Sequence, residues 1–241
     1  MADRAAGPPP PPERPYASRA GAKLEHALRA FGIDPAGAHC ADLGCSAGGF
    51  VDCWLRFGAA SVVAVDTGYG VLDYRLREDT RVHVMERTNA LHAEPPEHLA
   101  RLGGAHFVSI DMSWTPQALA LPAALRWLSG DESARIVTLV KPHYEATSTG
   151  YRDRFASLVR RGALPPDDAE RVLEAVLADL PSLGVGTLGV ERSPITGRKS
   201  GKRRSSGGSA ANSEYLVLLA REAGATGGAR NPDPAGPGRP G

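Results

Sequence analysis

Lys23, Asp111, Lys141 and Glu214 are charged residues whose types together suit one kind of chemistry, the attack of an alcohol oxygen on an electrophilic carbon. Such an in-line displacement needs the oxygen aligned, and its proton removed or its developing charge stabilised. Each of the four, taken singly, reads as readily as an ordinary surface charge. Their meaning depends on whether the chain brings them together. A lysine ordinarily titrates near roughly 10.4, so service as a base at neutral pH would require desolvation or neighbouring positive charge. Stabilising an alkoxide is the equal alternative.

A second set of residues suits a nucleotide-like ligand. Between Asp42 and Phe50 the chain reads Asp-Leu-Gly-Cys-Ser-Ala-Gly-Gly-Phe, a turn leaving a strand and opening a helix. Its small residues Gly44, Ser46, Gly48 and Gly49 let a ligand approach the backbone. Asp66 ends the next strand about 20 residues on, where an acidic side chain accepts hydrogen bonds from a ribose diol. The alternative for Asp66 is a solvated turn residue beside Gly68 and Gly70. A dinucleotide requires its second glycine two residues after the first, and that position is Ser46. The spacing of Gly44 and Gly48 therefore favours S-adenosylmethionine over a nicotinamide cofactor. Asn89, at the end of a third strand, could recognise the adenine or simply shape a turn. Asp111 is placed to serve both this ligand and the charged set. No metal site is expected.

The elements that must position these groups alternate. Ser18 is expected to cap a helix carrying Leu24, Ala27, Leu28 and Phe31 at helical spacing, with Gly32 as its left-handed end. Then come a strand ending at Leu43, a helix over 48–57, a strand over 61–65, a helix over 71–77 and a strand over 82–85. Further on are a strand over 106–110, a helix over 119–128, a strand over 134–140 and a helix over 167–180. The last two strands, 184–190 and 215–219, are joined without a helix and should pair antiparallel. This order predicts an α/β protein with a mostly parallel sheet and a C-terminal antiparallel hairpin, which resembles the Rossmann-like fold of class I methyltransferases.

At 241 residues and 42% hydrophobic content, the chain suits one compact domain with tails. Residues 1–15 are expected to form a Pro-rich extended arm, 16–221 the domain, and 222–241 a tail that offers nothing to bury. Lys and Arg (28) nearly balance Asp and Glu (27), so a polyanion site would have to come from local clustering. The clearest cluster is Arg198, Lys199, Lys202, Arg203 and Arg204, in a Ser- and Gly-rich stretch over 198–211 that predicts a mobile loop. Phosphate contact and a solvated insertion are its two readings. Cys40, Cys45 and Cys53 lack metal-ligand spacing and fit buried reduced thiols. No apolar run reaches the roughly 20 residues of a membrane helix, and a cytoplasmic protein is expected.

On these residues the sequence resembles a known family, the FtsJ-like ribose 2'-O-methyltransferases, and most closely their hemolysin-A (TlyA-like) rRNA methyltransferase branch. The resemblance is carried by 18–24, 42–52, 64–70, Glu86-Arg87-Thr88-Asn89, 110–113, Val140-Lys141-Pro142, 193–197 and Glu214-Tyr215-Leu216. It implies that Lys23, Asp111, Lys141 and Glu214 form a catalytic tetrad, with Lys141 nearest the target hydroxyl and Asp111 orienting it. It also implies structured RNA, in particular rRNA, as partner. Members of the branch usually begin with a small S4 RNA-binding domain, and a proline tract stands there instead. His143 and Tyr144 could flank the acceptor, Tyr144 by stacking on a base, or pack in the core. Trp54 and Trp114 are expected in the sheet–helix interface. Competing readings are a methyltransferase of small hydroxylated molecules and a non-catalytic RNA-binding or haemolysin-like protein.

Overall fold

The computed structural model describes residues 15–196 and 212–222. The expected arm over 1–15, apart from Pro15, the basic stretch Arg198, Lys199, Lys202, Arg203 and Arg204, and the tail from residue 223 on lie outside the described residues.

Seven strands form one sheet: β1 (His39–Leu43), β2 (Ser61–Val65), β3 (Val82–Met85), β4 (Phe107–Ile110), β5 (Arg135–Val140), β6 (Val185–Arg192) and β7 (Tyr215–Arg221). Their order across the sheet is β3-β2-β1-β4-β5-β7-β6. The first five run parallel, and β7 lies antiparallel to both β5 and β6. This is the expected mixed α/β architecture. The central strands read as continuous apolar runs because helices cover both faces; Val62 to Val65 and Ile136 to Val140 are all buried.

One face packs against α1 (Ala20–Phe31), α2 (Gly49–Arg56) and α3 (Tyr74–Arg77), through Leu24, Leu28, Phe50 and Trp54. The other carries α4 (Glu97–Arg101), α5 (Gln117–Trp127), α6 (Pro142–Glu145), α7 (Arg152–Phe155) and α8 (Pro166–Asp179), with Leu121, Trp127 and Val172 at its centre. Trp54 is fully buried as expected; its Nε1–H donates to Ser109 Oγ at 3.0 Å and its ring stacks on Phe107.

Several boundaries differ from the sequence reading for identifiable reasons. Gly32 ends α1 in the left-handed conformation, as its spacing predicts. The cap at the other end is displaced: α1 begins at Ala20, Arg19 occupies the N-cap without a side-chain bond, and Ser18 Oγ accepts only from the Ala20 N–H at 3.3 Å. The helix expected from residue 71 starts at Tyr74, with Asp73 as its cap. The preceding N–H groups of Gly70, Val71 and Leu72 donate to the Glu86 carboxylate, and Asp73, at ψ 133, lies outside helical space, so the helix starts only after it. These donors, Gly70 first, together with Arg77, hold the Glu86 carboxyl down to about 2. Three short helices, α4, α6 and α7, were not anticipated. Each has only four or five residues, too few for periodicity to show.

Glu145, on α6, is buried with one oxygen accepting from the Gln117 N–H at 2.9 Å and the other unpartnered. Burial pushes its carboxyl up to about 7. Between about pH 4.5 and 7 the unfolded chain releases this proton while the folded chain retains it, so stability falls as pH rises through that window. Glu145→Gln keeps the acceptor and never ionises. The variant is expected to be more stable than the parent at pH 8, by at most about 3 kcal/mol, and nearly equal at pH 5. Urea unfolding at both pH values checks this, and an equal difference at both would exclude a buried carboxylic acid. Asp42 titrates with the same sign, so the variant retains some slope.

Candidate active site

The C-terminal ends of β1, β2, β4 and β5 open into a cavity of about 1000 Å³. That edge is where parallel α/β sheets place their ligand sites. Lys23 from α1, Asp111 after β4, Lys141 after β5 and Glu214 before β7 all line it. The four form two ion pairs of different character. Lys23 Nζ donates to Glu214 Oε2 at 2.5 Å, and the side chains are only 6% and 4% exposed. Lys141 Nζ donates to Asp111 Oδ1, and this pair is more open, at 13% and 21%. The closed pair joins α1 to the segment entering β7, while the open pair presents its charges to the cavity.

The turn after β1 forms an adjoining wall. Gly44 and Cys45 donate their N–H groups to the Val65 carbonyl, and Asp111 N–H donates to the Leu43 carbonyl, which ties the turn to the ends of β2 and β4. Gly44 has φ +91, and a Cβ there would stand 2.8 Å from the Asp111 carbonyl oxygen. No other residue fits. Gly44, Ser46 and Phe50 line the cavity, but Gly48 and Gly49 do not. A Cβ on Gly48 would meet the Leu72 and Leu76 side chains, and one on Gly49 would meet Ser18 and Gly21 of the α1 entry. These two glycines admit neighbouring packing and do not face the cavity.

Asp66 reaches across the turn. Its Oδ2 accepts from Ser46 N–H at 2.8 Å and its Oδ1 from Gly68 N–H at 2.7 Å. A carboxylate offers about four lone-pair sites, so two remain for a diol. Asn89 lines the cavity while its Oδ1 accepts from Leu91 N–H, so the turn role holds and its amide N–H₂ is left for a ligand. Asp42 lies at the cavity floor. One oxygen accepts from the Ser109 hydroxyl at 2.7 Å, and the other is buried without a partner. Burial pushes its carboxyl up to about 7, against the Ser109 hydrogen bond that lowers it.

Trp114 corrects an expectation: it is 76% exposed and lines the cavity instead of filling the sheet–helix interface. It falls in the 112–116 segment between β4 and α5, where no helix periodicity turns it inward. Tyr144 is exposed on the same cavity, with the His143 ring centroid 4.1 Å from its own and the two planes tilted by 39°. Burial, and then the neighbouring Lys141 charge, hold the His143 imidazole down to about 4, so it is neutral near pH 7. Sequence reasoning quoted Glu86 within the resemblance without a role, though it orders residues 70–72, and missed Asn212, whose side chain holds the cavity-lining turn at 160–163. An acid one residue beyond a strand end was the available signal for Glu86. Asn212 had none.

Cys40, Cys45 and Cys53 are free thiols in the core, and burial raises all three above the ordinary thiol range. Among the described residues no helix is long and apolar enough to cross a membrane.

Comparison with known proteins agrees with this geometry. Residues 16–200 match the model of the FtsJ-like methyltransferases. A relative from Mycobacterium tuberculosis, the 16S/23S rRNA (cytidine-2'-O)-methyltransferase TlyA, is 41% identical over 187 residues, which is 77% of this chain and 65% of the relative. The chain thus spans just under two thirds of that protein's length. Hemolysin A of Brachyspira hyodysenteriae is 33% identical, over 76% of this chain and 72% of that protein. Among solved structures, a hemolysin-designated protein from Streptococcus thermophilus superposes with a TM-score of 0.72 at 34% identity, covering 87% of this chain and 68% of that one. The match to residues 16–200, the sheet order and the paired charges at its carboxyl edge lead to one conclusion: the chain belongs to the FtsJ-like methyltransferase family.

Proposed function

We propose that the chain transfers a methyl group from S-adenosylmethionine to a ribose 2'-hydroxyl of structured RNA, with rRNA as the substrate class. The observation that carries this reading is the convergence of the open Lys141–Asp111 pair and the Asp42–Asp66 turn on one cavity. The residues fit the cofactor. Among the described residues Asp42 Oδ2 has no hydrogen-bond partner, and the ammonium group of S-adenosylmethionine can supply one. Gly44 and Ser46 give it backbone access, Asp66 accepts from its ribose diol, and Asn89 faces its adenine. When bound, the cofactor supplies a methyl group on a sulfonium.

Lys141 then acts on the acceptor. Its ammonium, held by Asp111, stabilises the oxygen as negative charge develops there, in a site where water screens it poorly, while the hydroxyl proton passes to solvent at the open side of the cavity. Asp111 keeps the ammonium in place, and the closed Lys23–Glu214 pair fixes the wall around both. Trp114 and Tyr144 supply aromatic surface at the same cavity, which suits an unstacked nucleobase better than a small phenol. The name of the mycobacterial relative supports rRNA as the substrate, and such a substrate places the protein in the cytoplasm.

Mapping ribose methylation in rRNA and ribosomal subunits, with and without the protein, tests the reaction. Transfer to small phenols with none to RNA would overturn it. Calorimetry tests the cofactor: Asp66→Ala is expected to weaken S-adenosylmethionine binding by about 1.5 to 3 kcal/mol. The loss should fall at the upper end, because the Ser46 and Gly68 N–H groups lose their acceptor as well. Tight nicotinamide dinucleotide binding without S-adenosylmethionine binding would contradict the assignment.

A further inference from the structure

Between α7 and α8 the chain makes a tight turn that the catalytic reading leaves unused. Arg160 N–H donates to the Ala163 carbonyl at 2.8 Å and Ala163 N–H returns to the Arg160 carbonyl at 2.9 Å. The two central residues, Arg161 and Gly162, both have positive φ, at 52° and 74°. This is the pattern of a type I′ turn, whose first central position favours Asn, Asp or Gly. A long side chain is disfavoured there, and an observed outlier of this kind points to a use for the residue that occupies it.

The turn is fastened to the active site. Asn212 Oδ1 accepts from Leu164 N–H at 3.0 Å, and its Nδ2 donates to the Gly162 carbonyl at 2.9 Å. Asn212 stands two residues before Glu214. The cavity wall includes Lys141, Tyr144 and Thr147 and extends to Val159 and Gly162. Arg160 and Arg161 are exposed, and among the described residues neither has a carboxylate partner. Among the other described surface arginines, Arg75, Arg77, Arg81 and Arg101 each hold one, Arg87 and Arg154 lie over aromatic rings, and Arg19, at the same cavity, is likewise without one. Two exposed guanidinium groups without carboxylates, on a rigid turn at the cavity wall, suit a phosphodiester, which they can hold bidentately.

We propose that the Arg160–Arg161 turn binds two successive phosphates of the RNA strand next to the acceptor nucleotide, one on each guanidinium, so that the strand is anchored on a turn tied through Asn212 to the segment that carries Glu214. This inference rests on the RNA reading above and adds a binding site to it.

The test measures filter binding to ribosomal subunits and to their deproteinised rRNA over a range of salt concentrations, with S-adenosylmethionine affinity measured alongside. Replacing both arginines, R160S with R161S, should lower the slope of log affinity against log salt by about 1.4, at roughly 0.7 per single-strand contact. Cofactor affinity should not move. Arg161→Gly alone should lower the slope by about 0.7 while raising the melting temperature, because glycine relieves the left-handed strain. That combination separates a binding role from a folding role. Superimposable salt plots for parent and double variant would overturn the turn as a phosphate site. Absence of salt-dependent RNA binding by the parent protein would overturn the RNA reading itself, and the turn proposal with it.

Discussion

Lys141→Ala is expected to lower methyl transfer about 100-fold to 1,000-fold while leaving S-adenosylmethionine affinity nearly unchanged. The reason is positional. Lys141 pairs with Asp111 on the open side of the cavity, whereas the turn assigned to the cofactor is built from residues 42–50 and Asp66. Removing the ammonium takes away charge that matters only as the acceptor oxygen becomes negative, so the loss should appear in kcat and kcat/KM together. Lys141→Arg keeps a charge but displaces it, and should recover only part of the rate. Single-turnover methylation and calorimetry on the same preparations check both statements. Near-parental turnover in Lys141→Ala would remove the residue from the mechanism.

Lys23→Ala should behave differently, because its effect is on stability as well as rate. The Lys23–Glu214 pair is almost fully desolvated, and removing one partner leaves the other charge buried alone. Breaking a buried pair in this way costs about 3 to 5 kcal/mol. For a domain of this size that corresponds to a fall in Tm of roughly 6 to 20 °C. Glu214→Ala should do the same. The double replacement K23M with E214L removes both charges and fills the space, so its loss should be much smaller than the sum of the singles. Thermal unfolding of the parent, K23M, E214L and the double variant measures the coupling. Additive losses would mean that the two side chains do not interact in solution, and the closed wall assigned to them would have to be abandoned.

The residues at which sequence reasoning failed share a physical cause. Trp114 was expected in the core because large aromatics usually bury their surface. It lies instead in an irregular segment, where no period says which way a side chain points. Gly48 and Gly49 fit a ligand-approach motif, but what approaches them is Leu72, Leu76 and the α1 entry, from segments that the motif does not contain. The segment expected to open a helix at Val71 instead donates its N–H groups to Glu86, one residue past the end of another strand, and the helix starts only after the non-helical Asp73. In each case the deciding contact is long-range.

By itself the sequence determined whatever depends on near neighbours. The alternation of apolar runs with helical spacing dictated the parallel sheet, because a strand buried on both faces must be apolar throughout. Gly44 and Asp66 marked the turn after β1 because the turn is local and its partner strand follows directly. The positions of Lys23, Asp111, Lys141 and Glu214 at element ends were also legible. Only the tertiary structure decided how these four combine. The insertion of β7 between β5 and β6 brings Glu214 beside a lysine 191 residues earlier and leaves Lys141 to Asp111. No local pattern encodes that choice, since it follows from which strand fills the sheet beside β5 and which charges its packing then shuts away from water.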